Sequence, residues 1–405
     1  MRTQGLAPSA ADAGFTGFVR DVGRFFFEPS DTATLGLIRL CAGFLILYVH
    51  LIYSYDLYRL FGKDAWISYD LATELRKDYP IAMSQTGWEP PALPQPKTEA
   101  EEQAIEAYQK KWGYDPRVLH DRGWITWSVW YHVTDPTWMV VIHIGILVCM
   151  LLFALGLWTP VTGIITWLGV LSYVNRASTT FFGMDNIMNV LVIYLTLAHL
   201  FARPGTAALS LDRLLWRLRI ARQTGLKFTE VGTGDTLSSS ATFAIRLMQI
   251  HFCIIYLASG LSKLMGSAWW NGWATWGVIA NPEFNALHLN YYHALISWLS
   301  AHRVLWEVAM TANVAFTLVL EIGFPFLVWN RRLRWLMVTG AVILHTGIAL
   351  CMGLTSFSLM MLALLLSFIP SSTVRELLGL AERVPALVPA PAAHPAPTGA
   401  VGVRS

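Results

Sequence analysis

Apolar positions along this chain fall into long, nearly unbroken runs, not into strict alternation or a narrow amphipathic stripe, and short polar turns separate them. A membrane-spanning helix needs roughly 20 apolar residues, somewhat fewer inside a bundle. By that measure about eight spans are predicted, near 33–55, 137–157, 159–175, 185–202, 241–264, 308–329, 334–352 and 355–370. The third and the eighth carry the weakest signal. Runs two and three meet at "LWTP" and runs seven and eight at "GLTS". Such tight turns favour antiparallel neighbours. The predicted fold class is all-α, a polytopic membrane bundle.

The segments between the runs have their own patterns. Residues 14–27, "GFTGFVRDVGRFFF", predict an interfacial helix within a cytoplasmic N-terminal segment, 1–32. The connection 56–136 is mixed in charge and predicts a short helix near 97–112, a mobile hairpin in its middle and an interfacial aromatic end, "GWITWSVWYHVTDP". "NPEFNALHLNYYHALISWLSAH", with His288, His293 and His302, predicts an amphipathic helix on or dipping into the membrane surface. The transmembrane domain is expected to close at 370, and the Pro/Ala-rich stretch 371–405 to be a disordered cytoplasmic tail.

Composition agrees with the pattern: 55% of residues are hydrophobic and 14% charged, which makes the lipid bilayer the expected partner. A net charge of +3 with locally clustered basic residues gives no reason to expect nucleic acid. Those clusters read as topology signals. Arg203, Arg213, Arg217, Arg219, Arg222 and Lys227 follow the fourth run, and Arg331, Arg332 and Arg334 follow the sixth. Positive segments stay inside, so with an even number of spans Arg20, Arg24 and both termini are cytoplasmic and the 56–136 loop is outside, in the cell membrane. The N-terminus has no continuous apolar core of the signal-peptide kind, so the first span is expected to direct insertion. Cys41, Cys149, Cys253 and Cys351 all lie in apolar runs without C-x-x-C spacing and read as small hydrophobes, not disulfides or metal ligands.

Ionisable groups inside spans are costly unless paired or wet, so each is a candidate for function. Arg39 lies two turns inside the first helix, from where it can reach the inner headgroups. Arg246 and Glu321 lie at similar inner depth, which suggests a structural ion pair between them, or else an inner-leaflet site. His50, His143, His251 and His345 are expected to bond neighbouring carbonyls instead of a metal, with His251 and His345 near enough in depth to line one polar channel. Gln249, Tyr256 and Lys263, spaced by seven, share one face of the fifth helix, and Gly260 allows close approach there. Lys263 falls about 33 Å along that helix, at the outer hydrocarbon boundary. Trp269, Trp270, Trp273 and Trp276 then fit an outer aromatic belt. Lys263 is either a snorkelling anchor or one wall of an outward pocket with Asn175, Arg176 and Asp185; in the second case Asp185 pairs with Lys263 or with Arg176.

The order of "FFFEPSDTATLGLIRLCAGF", "GLWTPVTG", "NRASTTFFGMDNIMNVLVIYLTLAHL" followed by "LSLDRLL", "RLMQIHFCIIYLASGLSKL" and "EIGFPFLVWNRRLR…LHTGIALCMGLTSFSLMML" resembles the HTTM family, the horizontally transferred transmembrane domain shared with vitamin K-dependent gamma-carboxylase. The resemblance covers roughly residues 25–370, and Y-x-A-x-G-x-x-K-L at the end of helix five is its most specific part. In the carboxylase the lysine closing that helix is implicated in generating a base from reduced vitamin K and oxygen, and Lys263 stands at the matching position. Such a role requires an amine that can be neutral, which burial favours. The resemblance also implies a hydrophobic chamber for a quinone or another lipid-like molecule, with Tyr256, Trp269 and Trp270 as candidates to hold it and Lys263, Asp185 and Arg176 as the catalytic set. Two features depart from the carboxylase. The stretch "NRASTTFFG" lacks its histidine, and no large soluble domain follows residue 370. Carboxylation of protein glutamate is therefore not expected. What remains is a quinone- or lipid-linked membrane enzyme, or a non-catalytic membrane protein that binds a lipid or peptide in immunity, maturation or transport.

Overall fold

The computed structural model describes residues 10–76, 95–112, 127–177, 182–203, 205–228, 231 and 237–380. They form helices α1 (Ala10–Phe27), α2 (Ala33–Ile52), α3 (Leu57–Phe61), α4 (Tyr69–Arg76), α5 (Glu99–Trp112), α6 (Pro136–Leu155), α7 (Thr159–Arg176), α8 (Gly183–Leu200), α9 (Leu211–Thr224), α10 (Ser239–Leu264), α11 (Ser267–Trp270), α12 (Trp273–Ile279), α13 (Asn290–Ala301), α14 (Arg303–Leu327), α15 (Arg334–Met352), α16 (Thr355–Leu365) and α17 (Ser371–Leu377). Two-residue strands β1 (Ser30–Asp31) and β2 (Leu237–Ser238) pair antiparallel, Ser30 opposite Ser238. Helices α2, α6, α7 and α8 pack as one group and α10, α14, α15 and α16 as a second, joined where α8 meets α10 and where α16 meets α2 and α8. The chain is an all-α polytopic membrane bundle.

Six of these helices, α2, α6, α8, α10, α14 and α15, are long and apolar enough to cross a bilayer. A seventh span requires Thr355–Phe368 and Ser371–Leu377, bent at 114° to one another, to be taken together. About six spans thus replace the eight expected, and the two that fall short are the third and the eighth. Helix α7 is antiparallel between α6 and α8, but Thr159, Thr162, Thr166 and Ser172 are buried on it. These hydroxyls lie on its packed face and lower its hydropathy, while Val161, Ile164 and Ile165 face outward. Helix α16 is short because it is enclosed by α2, α8, α10 and α15 and then turns sharply into α17.

One end of the bundle gathers α1, the β pair, α9, the turn at 328–333 and α17. Thr32 Oγ1 donates to Thr206 O (2.8 Å), Arg375 pairs with Asp31 (2.9 Å), and Phe25 lies against Trp329 (5.7 Å between ring centres). Residues 371–377 are thus helical and docked, not part of a tail; 381–405 lie outside the described residues. Helix α1 covers the expected 14–27 helix; Phe18, Val19, Val22 and Phe27 are exposed, and Phe27 stacks on Phe243. Arg39 does not reach the headgroups. It is fully buried and donates to Ala154 O (3.4 Å) and Leu209 O, with His199 Nε2 at 3.0 Å. Carbonyls at the end of α6 and in the loop before α9 offer the guanidinium partners that a snorkelling side chain would seek in water.

At the opposite end, the connection from 56 folds back onto the helices. The expected helix near 97–112 is α5, whereas 77–94 and 113–126, which include the expected hairpin, lie outside the described residues. Within the aromatic end Trp127 is exposed but Trp130 and Tyr131 are buried, and Trp130 packs on Phe61 (6.2 Å) and Tyr173 (5.3 Å). Beyond α10, α11–α13 wrap the first half of α14 and the end of α15, and Trp276 meets Trp306 at 5.6 Å. The amphipathic segment expected at 281–302 corresponds to α13 and the turn before it, with Tyr291, Leu295 and Trp298 outward.

Candidate functional site

Helix α10 begins with Ser238 accepting the Ala241 N–H and runs 26 residues, which brings Lys263 to its last turn. Gly260, one turn earlier, is buried where α10 meets α14; a Cβ placed there would lie 2.7 Å from Ile322 Cγ1 and 3.2 Å from Glu321 Cβ. That missing side chain brings Glu321 within reach of Lys263. The ammonium donates to Glu321 Oε2 (2.7 Å), Glu321 Oε1 (2.9 Å) and Ser259 Oγ (2.6 Å), so its three protons are all engaged. Trp269 lies beside it, 5.3 Å from nitrogen to ring centre. Glu321 is 6% exposed, so the pair is largely taken from water. Pro325 lacks the N–H that would bond the Glu321 carbonyl, which opens the α14 ladder at the acid.

This pair forms one wall of a cavity of about 560 Å³ bounded by α10, α11, α12, α14 and α15. The remaining lining is mostly apolar, with Val278, Ile279, Phe316, Ile343 and Ile348 among it, and Asn313 and Thr317 as further polar groups on α14. Its volume is in the range of drug-sized ligand pockets.

The expected site residues do not all converge here. Lys263 and Trp269 line the cavity. Trp270 does not: it is 72% exposed and its Nε1 donates to Leu264 O (2.8 Å), which suits an interfacial ring. Tyr256 is buried behind the cavity, its hydroxyl 3.0 Å from His345 Nε2 and its ring stacked on Phe252. Asp185 accepts the Phe182 N–H (2.9 Å) at the start of α8, and Arg176 donates to Gly62 O (2.8 Å) and lies over Tyr131. Neither bonds Lys263, whose ammonium is taken by Glu321 on α14.

For the same reason Arg246 does not pair with Glu321. It donates to Gln249 Oε1 (2.8 Å) and Phe25 O (3.1 Å) and covers the Phe25 ring. Depth counted along straight, level helices misplaced the acid: its contact with Lys263 sets Glu321 beside the last turn of α10, and α14 continues 18 residues from it to Arg303, about 27 Å. The other histidines behave as expected in part. His50 bonds the carbonyl of Ile46 (2.8 Å), whereas His143 bonds Tyr173 and Ser54; His199, not singled out from the sequence, bonds Leu195 O (2.7 Å). His251 contacts Tyr194 on α8 and His345 contacts Tyr256, so they belong to separate contacts instead of one channel. Of the cysteines, Cys253 is buried but Cys41 faces outward, where lipid is as suitable a surrounding as protein.

The fold and this site define a class: a multipass membrane protein with an ion-paired lysine in the wall of an apolar chamber. No protein-family model, no curated protein and no solved structure matches the chain.

Proposed function

We propose that the protein is an HTTM-type membrane protein that accepts a quinone- or lipid-like amphiphile in this chamber, with Lys263 and Glu321 as a proton-exchanging pair. The observation that carries this reading is the bidentate contact of Lys263 with a largely buried carboxylate in the chamber wall. A contact of 2.7 Å is that of a charge-assisted hydrogen bond, and it is the path along which a proton would pass from Lys263 to Glu321 when a ligand binds. With it on Glu321, Lys263 is a neutral amine able to take a proton from a bound molecule; Glu321 then acts as the reservoir. Trp269 covers one side of the ammonium, and Glu321 is largely buried. The basic end of the bundle faces the cytoplasm of a cell membrane under the positive-inside rule, and the chamber opens in the opposite half.

Mass spectrometry of lipids and quinones co-extracted with the purified chain tests the reading: an enriched amphiphile in wild type, lost in Lys263→Met, is the expected result. Equal recovery from both overturns it. Lys263→Arg separates chemistry from binding, because arginine keeps the charge but cannot become neutral. Turnover of the co-extracted molecule should vanish in that variant. The full engagement of the ammonium protons favours a second reading, a binding protein without turnover, and a molecule retained chemically unchanged by both Lys263→Arg and wild type would select it.

A further inference from the structure

Helix α14 turns Met310, Val314, Thr317, Leu320, Glu321 and Phe324 inward, and all six are buried. Asn313, three residues after Met310 and four before Thr317, lies on that same inward face, yet it is exposed. It is part of the cavity lining. Among the described residues its amide makes no side-chain hydrogen bond, and neither does the Thr317 hydroxyl one turn further on. Asn313, Thr317 and Glu321 therefore form a polar stripe at i, i+4 and i+8 along an otherwise apolar chamber, with Asn313 about 12 Å of helix rise from Glu321.

The pair at the foot of the stripe is electrically neutral as a unit, and Lys263 has no proton to spare. An anionic headgroup would find no uncompensated cation there. The uncommitted side-chain donors in the chamber are the Asn313 Nδ2 group and the Thr317 hydroxyl; Thr317 is buried and Asn313 is the exposed one, and an amide in a membrane-embedded segment gains by finding a partner. We propose that Asn313 is the headgroup-positioning residue of the chamber and that the occupant is an uncharged amphiphile of the bilayer, whose head accepts a hydrogen bond from Asn313 and whose tail lies along Phe316, Ile343 and Gly347. At Gly347 an added Cβ would meet nothing within 4 Å, so the wall is recessed there. Ile343 is 57% exposed, which marks the side of α15 where the chamber meets the lipid face and a tail can leave.

This inference rests on the chamber being a ligand site, and its test separates the two. The full-length protein in neutral nanodiscs is titrated with decylubiquinone, an uncharged head with acceptor oxygens only, and with anionic dioleoylphosphatidic acid, following the ligand-induced shift in thermal midpoint. Wild type should be stabilised by the quinone and not by the anionic lipid. Asn313→Leu, which suits a membrane helix and should fold, should weaken quinone binding about tenfold; Asn313→Gln should restore part of it. Gly347→Leu should weaken it by filling the recess. If Asn313→Leu binds as wild type while Lys263→Met/Glu321→Met does not, the role of Asn313 is overturned and the chamber reading stands. If phosphatidic acid binds more tightly than the quinone, the uncharged head is overturned. If neither probe stabilises wild type, both the inference and the chamber reading fail.

Discussion

At Lys263 the residue type alone left two readings, anchor or site, and the choice is made by its partners. An exposed anchor gains little from any single carboxylate. Here the ammonium is held by two carboxylate oxygens and a serine hydroxyl, with Glu321 6% exposed. Removing one partner strands the other charge in a dry wall, whereas removing both leaves an apolar wall. A double-mutant cycle should therefore show Lys263→Met and Glu321→Met each lowering stability, with the double variant recovering part of the loss and a coupling on the order of 1–3 kcal/mol. Thermal melts of the four proteins in one detergent measure it, and strict additivity would mean that the contact carries no weight. The acid was visible in the sequence as an intramembrane glutamate needing a cation. Its partner was not, because two cations, Arg246 and Lys263, share α10, and side-chain depth depends on how far α14 slides along that helix.

Helices succeed or fail here according to what they face. Runs that face lipid, such as α2, α6 and α15, were legible from hydropathy, and the termini of most matched within a few residues. Helix α7 was legible from its turns despite its threonines; the eighth run was placed within two residues of the helical stretch 355–368, but nothing in its apolar residues encodes the 114° bend that follows. The approach of α10 to α14 is set by Gly260. Gly260→Val should force the helices apart, cost about 1–3 kcal/mol by overpacking and separate Lys263 from Glu321. Ala258→Val, at an exposed position of the same helix, is the matched control and should be near neutral. Thermal midpoints and decylubiquinone binding read both; equal effects of the two substitutions would remove the argument for close packing at Gly260.

For the whole molecule, the contacts put residues 25–32, 205–228, the 328–333 turn and α17 at one end and residues 53–72, 128–136, 172–177 and 182–185 at the other. The sidedness expected from the basic residues can be checked by labelling. In a chain with its four cysteines replaced by alanine, Tyr55→Cys, at a residue 89% exposed, should react with an impermeant maleimide on intact cells. Arg219→Cys in α9 should react only after permeabilisation. The reverse pattern would invert the orientation and place the chamber in the inner half of the bilayer.

The sequence by itself determined that this is a helical membrane protein, because the length and uniformity of apolar runs admit no other way to satisfy backbone polar groups in lipid. It also marked Lys263, Glu321 and Trp269 as residues to be explained. Only the tertiary structure decided that Lys263 meets Glu321 instead of Asp185, that Arg39 and Arg176 are buried against backbone carbonyls, and that Asn313 looks into a chamber. Those outcomes depend on the slide and contact of helices far apart in the chain, and side-chain partners in a bundle follow from that geometry, not from spacing along one helix.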